Sequence, residues 1–509
     1  MPNTIDKNRV ALSFKKVADW PKLSWVAIVE KGSDAITILH GSNVETNFSW
    51  CAEAVWAGSF EEGDFDRTDL VVGTGVRVRG DEVLFVSSGD TLNRLHWYQG
   101  GKETVVSNSL PALLAVADID LVDDYPYADA MASIVNGLHS YQREIPSTGG
   151  PIHIGYYNNL KLANGEITEV AKPSSAPDFI DFSTYRDYLF KSARSMGLNA
   201  QASARLHRVT PLASISSGYD SPTTTVIARE AGARECVTII QGRRDAANLL
   251  NVDDSGAKVA AQLGMRCKSY PRFRKDFPLE VAAWAANGNV GDINLSLFDY
   301  PKPICLLFTG FMGDVLWDRN TAQPEFLHRK DTSGARFSEA RLEHGVLLCS
   351  PVFWGCQNES QILALAHLPE MRNWTLNNNY DRPVPRRILE EAGVERNAFG
   401  RKKRAASFNR RYGQPLSMAL REDFAGFIEK RGVRLGTRFD EFVAYVLDGV
   451  DYYLLRKLPP AIRFSCKDWI TLPTPSLFFL WANERRKQRY LRGIEKSRSD
   501  VVSTLVASG

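Results

Sequence analysis

The run Ser216-Ser217-Gly218-Tyr219-Asp220-Ser221 brings together residue types suited to holding a polyanion. Small side chains let backbone N–H groups converge, and the hydroxyls of Ser216, Ser217 and Ser221 can donate further hydrogen bonds to phosphate oxygens. Asp220 would repel a bare phosphate. Its presence in the same loop therefore suggests a Mg²⁺ between carboxylate and phosphates. The same six residues also satisfy a blander description, a polar turn with a helix cap.

The flanking elements decide whether such a loop can work. Upstream, Pro211-Leu212-Ala213 reads as a short apolar strand. Downstream, Ser221 suits a helix cap and Pro222 a first turn, where its missing N–H is not needed. Val226, Ile227 and Ala231 continue the helix, Gly232 fits its C′ stop, and Cys236-Val237-Thr238-Ile239-Ile240 reads as a second strand. A strand–loop–helix–strand unit belongs to a parallel α/β sheet, with the loop at the carboxyl end where such sheets bind ligands.

Residues up to about Asp120 are β-rich instead, with short apolar runs such as Val26–Val29, Ile36–Leu39 and Val83–Val86 between Gly, Asp and Ser turns. Val76–Val83 reads as a hairpin turning at Gly80-Asp81. The pattern becomes helical from Ala130 to His139, Lys172–Pro177 has the composition of an interdomain linker, and Tyr185–Ala202 has helical spacing.

Composition sets the frame. The chain has 509 residues, so two large domains and an extension are expected. With 62 Lys+Arg against 59 Asp+Glu the net charge is +3, which gives no case for wholesale nucleic-acid or membrane binding. The 7 cysteines are scattered without a CxxC pair, so neither a disulfide framework nor a zinc site is expected, and a reducing cytoplasm fits. Met1–Lys7 lacks the apolar core of a signal peptide, and Ile304–Phe308 is far too short to cross a bilayer.

Ser216–Ser221 looks like the SGGxDS pyrophosphate loop of N-type ATP pyrophosphatases, with Ser217 in place of the first glycine. Three further landmarks resemble the asparagine synthetase and β-lactam synthetase family in order. Asp253–Gly264 is similar to its DExxxAxxVAxxLG helix. Leu306–Trp317 is similar to the GEGADELF strand and loop, with Gly310 and Asp314 matching and Phe311 and Val315 replacing the two glutamates. Arg387 and Arg401-Lys402-Lys403 resemble the closing pattern of an arginine before RxK. The likeness covers roughly residues 180 to 410.

The resemblance implies a division into a degenerate glutaminase-like domain (1–175), an ATP-pyrophosphatase domain (176–410) and a helical C-terminal extension packed on it (411–509). In fold terms this is an α+β, β-rich, Ntn-like layer followed by an α/β parallel-sheet domain. The loop residues Ser216, Ser217, Gly218, Tyr219, Asp220 and Ser221, with Gly310, would bind ATP. Asp220 and Asp314 would share a Mg²⁺ at one sheet edge, polarising the α-phosphorus. Lys403, with Lys402 as the alternative register and Arg401 beside it, would stabilise charge as an amine attacks an acyl-adenylate. Asp314 also suits a cap or turn, and Arg401–Arg404 a solvated basic loop.

Gly73–Arg77 and Val105–Leu110 resemble the family's N-terminal layer, whose glutamine-dependent members use a cysteine as first residue. Here Pro2 follows Met1 and Cys51 is internal, so no glutaminase activity is expected and Cys51 reads as a small buried hydrophobe. His96 reads as packed within a strand, and Arg485–Arg492 as a solvated helix face. Tyr452, Tyr453, Trp469 and Trp481 mark a packed helical lobe. Three readings follow: an AMP-producing amide ligase with small-molecule carboxylate and amine partners, a nucleobase- or tRNA-modifying enzyme, and an ATP-binding pseudoenzyme.

Overall fold

The computed structural model describes residues 10–507 apart from 34, 241–253, 272–276, 278, 323–324, 401–414, 416, 434–438, 441–442, 444–445, 448–449 and 451–473. The protein is mixed α/β, with a large β-rich N-terminal region followed by a parallel sheet.

Between Ala11 and Val170 the strands form one sheet of seven and one of six. They pair antiparallel except Ala11–Lys16 with Ala35–His40. Alternation along the strands explains why the two sheets stack: Trp25, Ala27, Ile36 and Ile38 from one and Val76, Val78, Val83 and Phe85 from the other share a single buried cluster. Cys51 lies in that cluster, fully buried, as expected of a small hydrophobe. The expected hairpin joins Val71–Arg79 to Glu82–Val86, with Gly80 at φ +65° in the turn.

Strands end at Val170, and the next element is the helix Phe182–Ala200, capped by Asp181, whose side chain accepts from Thr184 N. The intervening segment has no regular structure, as its composition predicted. It is firmly anchored, however. Lys172 is buried, and its ammonium donates to Ser87 O at 2.8 Å and to Asn159 Oδ1. The helix expected over Ala130–His139 is shorter and earlier, Tyr127–Ala132 with a tighter turn Ser133–Asn136. It stops at Gly137, whose φ of +100° a helix cannot continue.

The third sheet has five strands, all parallel. Its order is Arg266–Pro271, Glu235–Ile240, Val209–Ser214, Ile304–Phe308, Val346–Cys349. Every residue of Ile304–Phe308 is buried, the pattern of a strand covered on both faces. Val209–Ser214 is the first of these strands in the chain and lies in the middle. The connection on one side leads to Glu235–Ile240, while Ile304–Phe308 lies on the other. The crevice outside the carboxyl ends of Val209–Ser214 and Ile304–Phe308 is therefore the topological switch point, the place where sheets of this kind hold ligands.

Among the described residues of the C-terminal part are the helices Met418–Glu429 and Pro475–Ala507. Trp481 is buried and its indole donates to Asp423, whereas Tyr452, Tyr453 and Trp469 lie outside the described residues. The long helix packs on Glu280–Asn287 of the central region and on Leu110–Val116, which lies against the seven-stranded sheet. It thus touches both regions.

The basic run on this helix is only partly a solvated face. Arg485 and Gln488 are exposed, but Arg486 and Lys487 are buried. Arg486 and Arg489 converge on Glu343, and Lys487 donates to Ile119 O and Asp120. A long helix spanning two regions turns part of its polar face inward, and the charges there are satisfied by carboxylates opposite. Among the described residues no helix is long and apolar enough to cross a membrane.

Candidate functional site

The serine loop leaves the carboxyl end of Val209–Ser214 and enters the helix Asp220–Glu230. The helix begins one residue before the expected cap. Tyr219 occupies the cap position without a side-chain cap bond, and Ser221 lies in the first turn beside Pro222. The cap residue thus leaves this helix start without a side-chain cap, an arrangement that suits an anion-binding helix start.

Within the loop the hydroxyls of Ser216 and Ser221 lie 2.8 Å apart, and Ser216 Oγ accepts from Gly218 N at 3.2 Å. Ser217 donates to the Asp254 carboxylate at 2.7 Å and through its own N–H to Asp254 O at 3.1 Å. A backbone bridge between Ser216 and Ser255 fixes the same junction. The Asp254–Gly264 part of the second landmark therefore supports the loop from one side, while Asp253 lies outside the described residues.

Tyr219 points away from the crevice into the core. It is fully buried against Tyr380 and Phe399, and its hydroxyl accepts from Arg386. Burial raises its phenol above the usual value, against the pull of Arg386. Its role is to hold the loop, not to reach a ligand through its side chain.

The two strand ends at the switch point approach closely. A Cβ on Gly310 would fall 2.5 Å from Ser221 N, and one on Gly313 would fall 2.5 Å from Asp220 Cγ. Only glycine permits the contact at either position. Between them Met312 is held at φ +71°, a conformation a side-chain-bearing residue adopts at a cost and most often at functional sites. Asp314 follows in the short turn Gly313–Leu316, as expected at the same edge as Asp220.

Arg382, which sequence reading missed, completes this cluster. Its side chain is fully buried and its Nη1 donates to Asp220 Oδ1. Burial disfavours its charge, but Asp220, Tyr380 and Asp314 outweigh that and hold the guanidinium more firmly protonated than usual. Its Nη2 stands 3.8 Å from Asp318, and among the described residues neither Nε nor Nη2 has a hydrogen-bond partner. Lys330 adds a second cation, its ammonium donating to Asp314 O and standing 3.9 Å from Asp318.

Arg401 and Lys403, with Lys402, lie outside the described residues. The residue before them does not. Gly400 donates its N–H to Ser217 O at 2.9 Å and rests against the Tyr219 ring. Arg387 faces elsewhere: it pairs with Glu370 and Glu391 and covers the Phe182 and Trp374 rings, and its neighbour Arg386 is the one that reaches the loop.

In the N-terminal region Cys51 has its thiol pushed up to about 12 by burial, the reverse of an activated nucleophile. His96 is packed as expected and its imidazole is held well below the usual value by burial and then by Arg94. Met1 and Pro2 lie outside the described residues. Compared with known proteins, the chain matches no protein-family model and no curated protein.

Proposed function

We propose that this protein is an ATP-dependent, amide-forming ligase that adenylates a substrate carboxylate and joins it to an amine without using glutamine. The observation that carries the reading is the uncapped start of Asp220–Glu230 at the switch point of a parallel sheet, ringed by serine hydroxyls and beside a buried guanidinium with unpartnered nitrogens. Such a site suits a triphosphate.

Asp220 and Asp314 offer the hard oxygen donors that Mg²⁺ takes, so the residues fit that ion in kind, and the Arg382–Asp220 pair is the contact that must yield. Bound there, Mg²⁺ would neutralise phosphate charge and favour departure of pyrophosphate. Ser216, Ser217, Gly218 and Ser221 orient the phosphates, and Gly310 gives them room. Arg382 draws negative charge toward the loop. A substrate carboxylate attacking the α-phosphorus forms an acyl-adenylate and releases pyrophosphate, and an amine then displaces AMP. Lys403, with Arg401, carries the charge that develops on the acyl oxygen in that second step.

The test is incubation with ATP, Mg²⁺ and fractionated cellular metabolites, following nucleotide products. Equal amounts of AMP and pyrophosphate, dependent on a carboxylate, support the reading. ADP and phosphate in their place would overturn it, as would unchanged pyrophosphate release by Asp314→Asn.

One observation favours a second reading, an ATP-binding protein without turnover. Arg382 sits on Asp220, and the positions of the two glutamates in the resembled motif hold Phe311 and buried Val315. ATP binding with no product from any fraction would select it.

A further inference from the structure

At the edge of the parallel sheet stand two cysteines that the functional reading does not use. Cys236 lies on Glu235–Ile240 and Cys267 on the edge strand Arg266–Pro271, and the parallel ladder sets them directly opposite each other. Directly paired residues on neighbouring strands project from the same face, with strands about 4.8 Å apart. That spacing falls within the roughly 4.4–6.8 Å between Cα atoms that a disulfide bridges.

The paired thiols lie close enough to shift each other's proton equilibria. Cys267, and then burial, raise the Cys236 thiol far above the usual range, whereas Cys236 holds the Cys267 thiol below it against the effect of burial. Access divides the pair in the same sense, since Cys236 is buried and Cys267 is partly exposed. The lower, more reachable thiol is the one an oxidant meets first. Cys51, Cys305 and Cys356 are buried with their thiols pushed up chiefly by burial, and Cys349 likewise.

We propose that Cys236 and Cys267 form a reversible redox site, closed to a cross-strand disulfide by a low-molecular-weight disulfide such as oxidised glutathione. Cys267, as thiolate, attacks one sulfur of the oxidant, whose S–S bond breaks and releases one glutathione thiolate that takes up a proton. Cys236 then loses its proton and attacks the Cys267 sulfur of the mixed disulfide, expelling the second glutathione, which is protonated in turn. Two protein thiols are oxidised by two electrons, and one disulfide is reduced to two thiols.

The closed bond would sit next to the loop's support. Val237 O accepts from Ile215 N at 2.9 Å, and Thr238 Oγ1 accepts from Gly256 N at 3.0 Å, two residues beyond Asp254. The strand bearing Cys236 therefore holds the serine loop, and fastening it to its edge neighbour stiffens that hold. The redox chemistry itself stands whether or not the site uses ATP.

The test equilibrates the whole chain in buffers of graded oxidised-to-reduced glutathione ratio, traps remaining thiols with an alkylating agent, and maps peptides without reduction. Wild type and Cys466→Ser should both give one cross-linked peptide pair joining positions 236 and 267, reopened by dithiothreitol, with no glutathione retained. Cys236→Ser should keep glutathione on Cys267, for want of a resolving thiol, and Cys267→Ser should leave Cys236 a free thiol. A wild-type protein that stays dithiol in the buffer that glutathionylates Cys236→Ser would overturn the proposal. So would retained glutathione at Cys267 in wild type, or a bridge to any other cysteine. The wild-type map needs no variant to fold.

Discussion

Two buried arginines separate the halves of the molecule. Arg341 sends both Nη atoms to the Glu53 carboxylate, at 2.7 and 2.9 Å, and Glu53 also accepts from Thr74 and Asn108. Among the described residues only its Nε lacks a partner. Arg382 is as deeply buried, yet one Nη alone is hydrogen-bonded among the described residues, while Nη2 stands 3.8 Å from Asp318 and Nε makes no hydrogen bond. Glu53 belongs to the stacked sheets, Arg382 to the switch point of the parallel sheet. The first arrangement is closed and accounts for fold. The second leaves hydrogen-bonding capacity that a phosphate would fill, since buried donors without partners are costly unless something else meets them. That contrast supports the proposal that ligand handling belongs to the switch point, while the stacked sheets are held by closed pairs of this kind.

The comparison can be broken in several ways. Arg341→Met strands a buried carboxylate, and such a change costs about 3–5 kcal/mol. Denaturant unfolding should show a loss of that size, and a loss under 1 kcal/mol would mean the pair does not seal the two regions. Asp220→Asn should behave in the opposite way, with the unfolding midpoint little changed and AMP formation down on the order of 100-fold or more. A variant that loses stability and keeps turnover would move Asp220 to the structural side.

Lys172 sharpens the contrast through pH. Burial lowers its ammonium to about 7, against the pull of Asp69, Asp90 and Asp66. The folded value lies below the unfolded one, so between pH 7 and about 10.4 the unfolded chain holds the extra proton and stability rises with pH. A single group contributes up to about 1.4 kcal/mol per pH unit. Lys172→Met should flatten the rise in unfolding free energy between pH 7 and 9, and an unaltered slope would show that the ammonium is not desolvated. The smallest effect belongs to Arg485, half exposed in its pair with Asp423. Arg485→Ala should shift unfolding by less than about 1 kcal/mol, whereas Arg486→Met, which strips one of two cations from part-buried Glu343, should cost clearly more.

Local pattern carried much of this. The hairpin at Gly80, the run Ile304–Phe308 and the strand–loop–helix around Ser216–Ser221 follow from nearest-neighbour chemistry, and the edge position of Asp314 follows from the apolar strand before it. Arg382 was invisible because its meaning lies in Asp220, 162 residues away. Lys172 sits in a Pro/Ser stretch that reads as a tether, and only the folded sheets reveal the pocket its ammonium enters. Arg486 and Lys487 read as solvent-facing until Glu343 and Asp120 are seen opposite them. In each case the partner is distant in sequence, and spacing along one segment encodes nothing about it.

The contact between Trp20 and Tyr490 has a consequence in time. The Trp20 indole donates to Tyr490 O and meets its ring edge-on, across 470 residues of chain. At a synthesis rate of about 5–20 residues per second, the ribosome needs roughly half a minute to a minute and a half to reach the helix that covers Trp20. Throughout that interval Trp20 and the face of Leu110–Val116 that the helix covers wait with an apolar surface exposed, and a newborn chain in that state is a natural client for a chaperone.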